Sequence, residues 1–314
     1  MTKLIATRDA YGETLAALGE SNKDIVVLDA DLSGSTKTNV FAKKFPERFF
    51  NMGVSEADMM GTAAGLAACG KIPFASTFAI FASGRAWEQV RQSIAYPKLN
   101  VKIVASHSGI TVGEDGGSHQ AIEDIALMRV IPNMTVIVPC DGIETRSVIR
   151  EIVKYKGPVY VRVARGKFPV ILPEDYKFSI GKGVVVKDGK DATIIAAGLM
   201  VSHALEAAAI LEKEGLNIRV INMSTIKPID RELIINAAKE TRAIVTCEEH
   251  SIIGGLGEAV AGVLAEECPV PMKRVGMQDV FGQSGTAEEL LAHYALMPPD
   301  IAKAVREVIA KKQK

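Results

Sequence analysis

Short uninterrupted apolar runs alternate along the chain with longer stretches in which apolar or small residues recur at helical spacing. The runs IVVLDA (25–30), VKIVASH (101–107), MTVIVPC (134–140) and VYVRVAR (159–165) are too brief for helices and too continuously apolar for half-exposed strands. They predict strands buried on both faces. The intervening stretches 57–69, 83–96 and 142–154 read as helices, and this alternation implies a parallel sheet covered on both sides. After Arg165 the pattern breaks into GKFPVILPEDYKFSIGKG, whose prolines, glycines and scattered charge predict a linker crossing the surface. A second alternation follows: GVVVKDG, ATIIAAG, a helix over 202–214, NIRVINM, a helix over 230–240, AIVTCEE, and a helix after GGLG. The expected fold class is therefore α/β, with two doubly wound domains, a mostly parallel sheet in the first and a smaller α/β C-terminal domain. The boundaries fall at 1–166, a linker at 167–187, and 188–314. No period of 20–50 residues repeats.

Length and composition narrow this picture. A chain of 314 residues fits two domains of ordinary size, and 48% hydrophobic with 24% charged residues describes a globular protein. No apolar run approaches the roughly 18 residues of a membrane span, so no membrane association is expected. Lys plus Arg equals Asp plus Glu at 37 each, which leaves no basic field for nucleic acid. The four cysteines form no C-x-x-C pair and are expected to be buried free thiols of a reducing, cytoplasmic location. The start MTKLIATRDAYG lacks the apolar region of a secretory signal.

Four stretches carry candidate chemistry. GGLGEAVAG (254–262) follows a strand and opens a helix as a dinucleotide fingerprint would, but Val260 stands at the third glycine position. GVSEADMMG (53–61) places Glu56 at the head of a helix whose residues from Gly61 to Gly70 are nearly all small, and so are expected to pack closely. Ser55 and Asp58 form a capping-box pattern, so ordinary helix-start chemistry explains an acid there; a functional carboxylate in a dry site, needing a partner or a proton, explains it equally. In PFASTFAIF (73–81), Phe78 and Phe81 are spaced to share a face, which core packing alone would account for. SHSGITVGEDGGSHQ (106–120) gathers His107, Glu114, Asp115 and His119 among four glycines just beyond a strand, at the sheet edge where open α/β folds bind ligands. A zinc site is not expected, since no third soft ligand lies at a usable spacing.

Together, IATRDAYGETL, LDADLSGST, NMGVSEADMMGTAAGLA, PFASTFAIF, GEDGGSHQAIEDIALMRVIPNM and PCDGIET resemble the pyrimidine-binding domain of transketolases, and the remainder resembles their C-terminal domain. The resemblance implies a thiamine diphosphate cofactor. The acid at the position of Glu56 would hydrogen-bond a ring nitrogen of the aminopyrimidine and promote the tautomer whose exocyclic nitrogen takes the thiazolium proton. Phe81 would stack on that ring with Phe78 walling the pocket, and Asp31 would lie near the thiazolium. His119 would act beside the reacting carbon of the donor, and Asp115 would read the acceptor hydroxyl. Arg8, Ser35, His107 and Arg165 would hold the sugar phosphate. Gly84 stands where many relatives complete the aromatic wall with tyrosine, a gap that another side chain such as Trp87 could fill. No G-D-G motif occurs. The resemblance therefore implies the C-terminal half of a split transketolase, with magnesium held by an N-terminal partner subunit carrying G-D-G, most simply as a heterotetramer of two copies each.

The β subunit of a thiamine-dependent 2-oxoacid dehydrogenase shares this two-domain arrangement, but a small 2-oxoacid needs no remote phosphate clamp such as Arg8 and Arg165. Deoxyxylulose-phosphate synthase is a further relative, with a different acid pattern in the histidine loop. A non-catalytic paralogue is the alternative outside enzymes, and the joint presence of Glu56, His107, Asp115 and His119 speaks against it.

Overall fold

A computed structural model describes residues 3–312. Its strands in chain order are β1 (Leu4–Ala6), β2 (Ile25–Asp29), β3 (Phe49–Asn51), β4 (Ile72–Ser76), β5 (Lys102–Ala105), β6 (Thr135–Ile137), β7 (Val159–Arg162) and β8 (Lys167–Pro169), followed by β9 (Val184–Lys187), β10 (Ala192–Ala196), β11 (Ile218–Asn222), β12 (Thr225–Lys227), β13 (Ile244–Ser251) and β14 (Met272–Met277). The first sheet has the order β12-β6-β7-β5-β4-β2-β3, and the second β14-β13-β10-β11-β9. All pairings within them are parallel except the antiparallel edges, β12 on β6 and β9 on β11. The α/β class with mostly parallel sheets is thus as the alternating pattern implies. The four first-domain runs all contain strands, each shorter than its apolar run.

The strand β12 comes from the second half of the sequence yet completes the first sheet, with Thr225 opposite Ile137 and Lys227 opposite Val136. Its Lys227 ammonium donates to the carbonyls of Arg129 and Ile131. One apolar core accordingly runs through both halves, from Leu28, Met59 and Ala105 to Ile195, Ile221 and Leu256. The opposite face of the first sheet is filled by Tyr11, Leu15, Phe41 and Phe74 with Val148 and Ile152.

Several local expectations are corrected. The segment after Arg165 does run over the surface, but with three buried anchor points. Phe168, Leu172 and Phe178 are buried, β8 pairs with β1, and the Asp141 carboxylate accepts from the amides of Ile171 and Leu172 at 2.7 and 2.9 Å. The helix Glu56–Ala68 buries Met59, Met60, Ala63 and Ala64, but Gly61 and Gly65 face open space, so its small residues are not enclosed all round. Ser55 stands at the N-cap without making a side-chain bond to it. Cys140 and Cys247 are buried, whereas Cys69 is exposed. The expected helix over 83–96 winds instead as wide turns at Phe81–Arg85 and Val90–Ala95 around a short α-helical piece. The Ser83 hydroxyl donates back to the Ala79 carbonyl at 2.7 Å, a competing bond of the kind that bends helices. Among the described residues no helix is long and apolar enough to cross a membrane.

Candidate active site

Parallel strands deliver their following residues to one edge, and the adjacent strands β7, β5, β4 and β2 deliver most of the candidates there. Beyond β2 lie Asp31 and Ser35, beyond β4 Phe78 and Phe81, beyond β5 His107, Asp115 and His119, and beyond β7 Arg165. Arg8 joins them from the first turn of the helix Thr7–Ser21, and Glu56 from the first turn of Glu56–Ala68.

The loop after β2 is organised by a residue that sequence reasoning passed over. Asp29 is fully buried and accepts from the Thr36 and Thr38 hydroxyls at 2.6 and 2.8 Å and from the Leu32 amide at 2.6 Å. Burial pushes its carboxyl above the ordinary value, against the pull of these three bonds. Asp31 is exposed and accepts from Asn51 at 2.8 Å.

The aromatic residues form a stack. Phe78 lies with its centroid 3.8 Å from that of His107 and nearly parallel to it, and 6.0 Å from that of Phe81 at an interplanar angle of 16°. The His119 ring approaches both phenylalanines edge-on. Phe78 therefore connects the Phe81 ring to the imidazole of the cationic cluster. Glu56 is 4% exposed, and its carboxylate receives Arg85 Nη1 at 3.2 Å. The same guanidinium, next to Gly84 in the chain, lies 4.1 Å over the Phe81 ring. Trp87 does not: its indole N–H donates to Leu127 O at 2.9 Å and its ring packs into the core. An exposed arginine in a helical run gives no signal in a sequence, so Arg85 could be found only in three dimensions.

At the other end, Arg8 Nη1 donates to Ser35 O at 3.1 Å and lies 3.4 Å from His107 Nε2. The serine thus meets Arg8 through its carbonyl. Arg165 Nη1 donates to Val112 O at 2.6 Å, with Glu114 at 3.5 Å and Asp115 at 3.9 Å. Because Arg8 can only donate, Nε2 of His107 is the bare nitrogen, and Nδ1–H donates to Ser106 Oγ at 2.9 Å. Burial, then Arg8, Arg165, His119 and Lys37, hold the His107 pKa down to about 3. Its folded value lies below the unfolded one, so the stability it contributes is full above about pH 6.5 and is lost as pH falls toward 3. Nitrogen-15 NMR is expected to show His107 unprotonated throughout the neutral range. An inflection near the ordinary histidine value would mean the ring is not packed as described.

The histidine loop leans on the C-terminal domain. A β-carbon on Gly117 would come within 2.6 Å of Gly282 O, and one on Gly113 or Gly116 within 3.5 Å of Gly285 O or the Ser284 backbone. Ser284 Oγ donates to Glu114 O at 2.6 Å, and Gln120 Nε2 donates to Gln283 O at 2.9 Å. The approach of Gly282 O calls for glycine at 117, whereas Gly113 and Gly116, with φ of +86° and +75°, are called for by their left-handed backbone. At the dinucleotide-like GGLG stretch, the amides of Leu256 and Gly257 at the helix start are taken by the buried Glu248 carboxylate at 2.7 and 2.8 Å. Burial pushes Glu248 up to about 7.

This edge offers a buried carboxylate beside a stacked aromatic pair, and next to it a cluster of cations around a neutral imidazole. The profile of the family described as the transketolase pyrimidine-binding domain matches residues 3–170, and that of the transketolase C-terminal domain matches 181–301. A protein of Methanocaldococcus jannaschii that carries the provisional name of transketolase C-terminal section is 57% identical, over 97% of this chain and 96% of its own. The 6-deoxy-6-sulfo-D-fructose transketolase subunit of a Clostridium species is 43% identical, over 97% and 95%. A solved structure described as the inactive β4 tetramer of a split-gene transketolase superposes with a TM-score of 0.91 at 55% identity, covering 98% of this chain and 99% of that one.

Proposed function

Since this chain belongs to the transketolase family, we propose that it is the pyrimidine-binding subunit of a cytoplasmic, thiamine diphosphate-dependent transketolase. With a separate diphosphate-binding chain it would transfer a two-carbon ketol unit from a phosphorylated ketose to a phosphorylated aldose. The observation that carries this reading is the Glu56 carboxylate set beside the Phe81 ring, both bridged by one planar cation, Arg85. A carboxylate and a π-face that together hold one planar N–H donor would suit a flat heterocycle with a ring N–H, for which Arg85, its side chain 55% exposed, would swing aside.

When bound, thiamine diphosphate supplies the electron sink that lets a carbon–carbon bond beside a carbonyl break. Glu56 would hold the proton at the pyrimidine ring nitrogen, and its burial strengthens that bond by lowering the local dielectric. Phe81 and Phe78 would fix the plane of the ring. Asp31 would stand near the thiazolium. His119 would bind hydroxyls at the donor's reacting end and Asp115 the hydroxyl next to the acceptor aldehyde. Arg8, Ser35 and Arg165 would grip the terminal anion, Arg8 and Arg165 supplying the charge, while neutral His107, whose one N–H is taken by Ser106, would act on the anion only through Arg8, which its bare Nε2 orients. Magnesium would be held by the partner subunit through its G-D-G motif, which this chain lacks. Two relatives of nearly the same length as this chain, one described as a C-terminal section and one as a split-gene product, support the division into subunits. The sulfosugar named for the Clostridium relative gives a second reading, in which the same cations take a sulfonate in place of the phosphate.

Arg165→Ala is expected to raise KM for a phosphorylated aldose about tenfold to a hundredfold while leaving glycolaldehyde nearly unaffected. That factor corresponds to the roughly 1.5–3 kcal/mol of a charged hydrogen bond. Steady-state kinetics of the reconstituted complex with both acceptors checks it, and a sulfonated sugar in parallel separates the two readings. Equal losses on the two aldehydes would return Arg165 to a purely structural role, bracing Val112 and Glu114.

A further inference from the structure

Glu249 lies near the end of β13 in the second sheet, 4% exposed, and its side chain points into the first domain. Its Oε1 accepts from the Thr111 amide at 2.6 Å. Thr111 is the middle residue of the 3-10 turn Ile110–Val112, which lies between His107 and Asp115. The carbonyl at the end of that turn, Val112 O, is the one that Arg165 grips at 2.6 Å. Gly109 has φ +71°, and a β-carbon there would stand 2.3 Å from Glu249 Cδ. Glycine is therefore required at 109 both by the backbone and by the approach of the carboxylate.

Arg162, itself 5% exposed, offsets part of the buried Glu249 charge, its direct bond being to the Glu249 backbone. Arg162 Nη2 donates to Glu249 O at 2.9 Å and to Ala121 O at 3.0 Å, while its Nε pairs with the fully buried Asp124. Gly109 N donates to the same Ala121 carbonyl at 2.9 Å. Both ends of the segment 109–121, which carries Asp115 and His119, are thus tied to one buried ionic network spanning the two domains. Burying a carboxylate is costly, and burial raises its pKa here; an apolar side chain would fill the same space at less cost. What an apolar residue could not do is receive the Thr111 amide.

We propose that Glu249 is a positioning residue for the candidate active site: from the C-terminal domain it clamps the turn 110–112 and so sets where His107, Asp115 and His119 stand. The inference rests on the functional reading above for its kinetic consequence, but not for the clamp itself.

The test combines hydrogen exchange on this chain with kinetics of the reconstituted complex. In Glu249→Ala, the Thr111 amide is expected to lose protection while amides of the helix Gly142–Ile152 keep theirs. The complex should lose about tenfold to a hundredfold in kcat/KM for the phosphorylated acceptor, the scale of small misplacements in a site. Thiamine diphosphate affinity should fall less than kcat/KM, because Glu56 and Phe81 keep their contacts with Arg85 while His107 and His119, which pack on Phe78, are the groups displaced. Glu249→Gln retains an acceptor oxygen and should recover most of both losses. Gly109→Ala should reproduce the defect, and its effect should shrink in the Glu249→Ala background, where the clash is gone and only backbone strain remains. Unchanged Thr111 protection in Glu249→Ala overturns the proposal. So does a uniform loss of protection across both domains, a glutamine variant no better than the alanine one, or additivity of the two substitutions. Absence of ketol transfer by the wild-type complex would overturn the functional reading alone, and the exchange arm would still decide the clamp.

Discussion

Glu56→Gln is expected to cut turnover of the assembled enzyme by roughly 10²–10⁴-fold, the range for removing a single acid–base group, while leaving the fold intact. The two side chains have nearly the same volume, so the packing at the start of the helix Glu56–Ala68 is preserved. What changes is charge: a neutral amide is a weaker acceptor for a ring N–H, and its NH₂ presents donors where acceptors are wanted. Arg85 loses its anion too, but its side chain is 55% exposed, so water replaces that contact at little cost. Circular dichroism should therefore match the wild type while ketol transfer falls at saturating cofactor. Near-normal turnover in the variant complex would remove Glu56 from the centre of the reading.

The second large effect is expected from the chain by itself. Alone it should be folded and without ketol-transfer activity, and it should bind thiamine diphosphate weakly or not at all even with magnesium present. The proposed pyrimidine end of the site offers one acceptor and one stacked ring, and such a stack contributes roughly 1 kcal/mol. The diphosphate carries most of the cofactor's charge, and a magnesium ion with oxygen ligands is what offsets it. Adding a G-D-G subunit should restore binding and turnover together, rising to a 1:1 ratio; closed two-fold symmetry makes two copies of each the simplest assembly. Calorimetry with cofactor and magnesium, followed by an activity titration against the partner, reads both halves. Tight cofactor binding or turnover by this chain alone would sink the claim.

What could be read in the sequence was what local periodicity encodes. Buried parallel strands are continuous apolar runs, so β2, β5, β6 and β7 announced themselves, and the loop after β5 stood out because its histidines and acids sit among glycines. The other contributors depend on partners remote along the chain. Glu249 and Thr111 are 138 residues apart. Asp29 looks like any acid closing a strand until the Thr36 and Thr38 hydroxyls fold over it. The small-residue face of Glu56–Ala68 implied enclosure that this chain does not itself provide, because composition reports what could pack and not what does.

The placement of β12 bears on how the chain is made. Residues leave a ribosome in order, and the first sheet cannot close its β6 edge until Thr225–Lys227 has emerged, well after β7 is complete. At about 5–20 residues per second the unpaired backbone of β6 waits for seconds, during which an open strand edge can template pairing with another chain. The β6 edge is only three residues long, Thr135–Ile137, which limits what a neighbouring nascent chain could grip. A break in the coding sequence between the two domains would part the first sheet from its last strand.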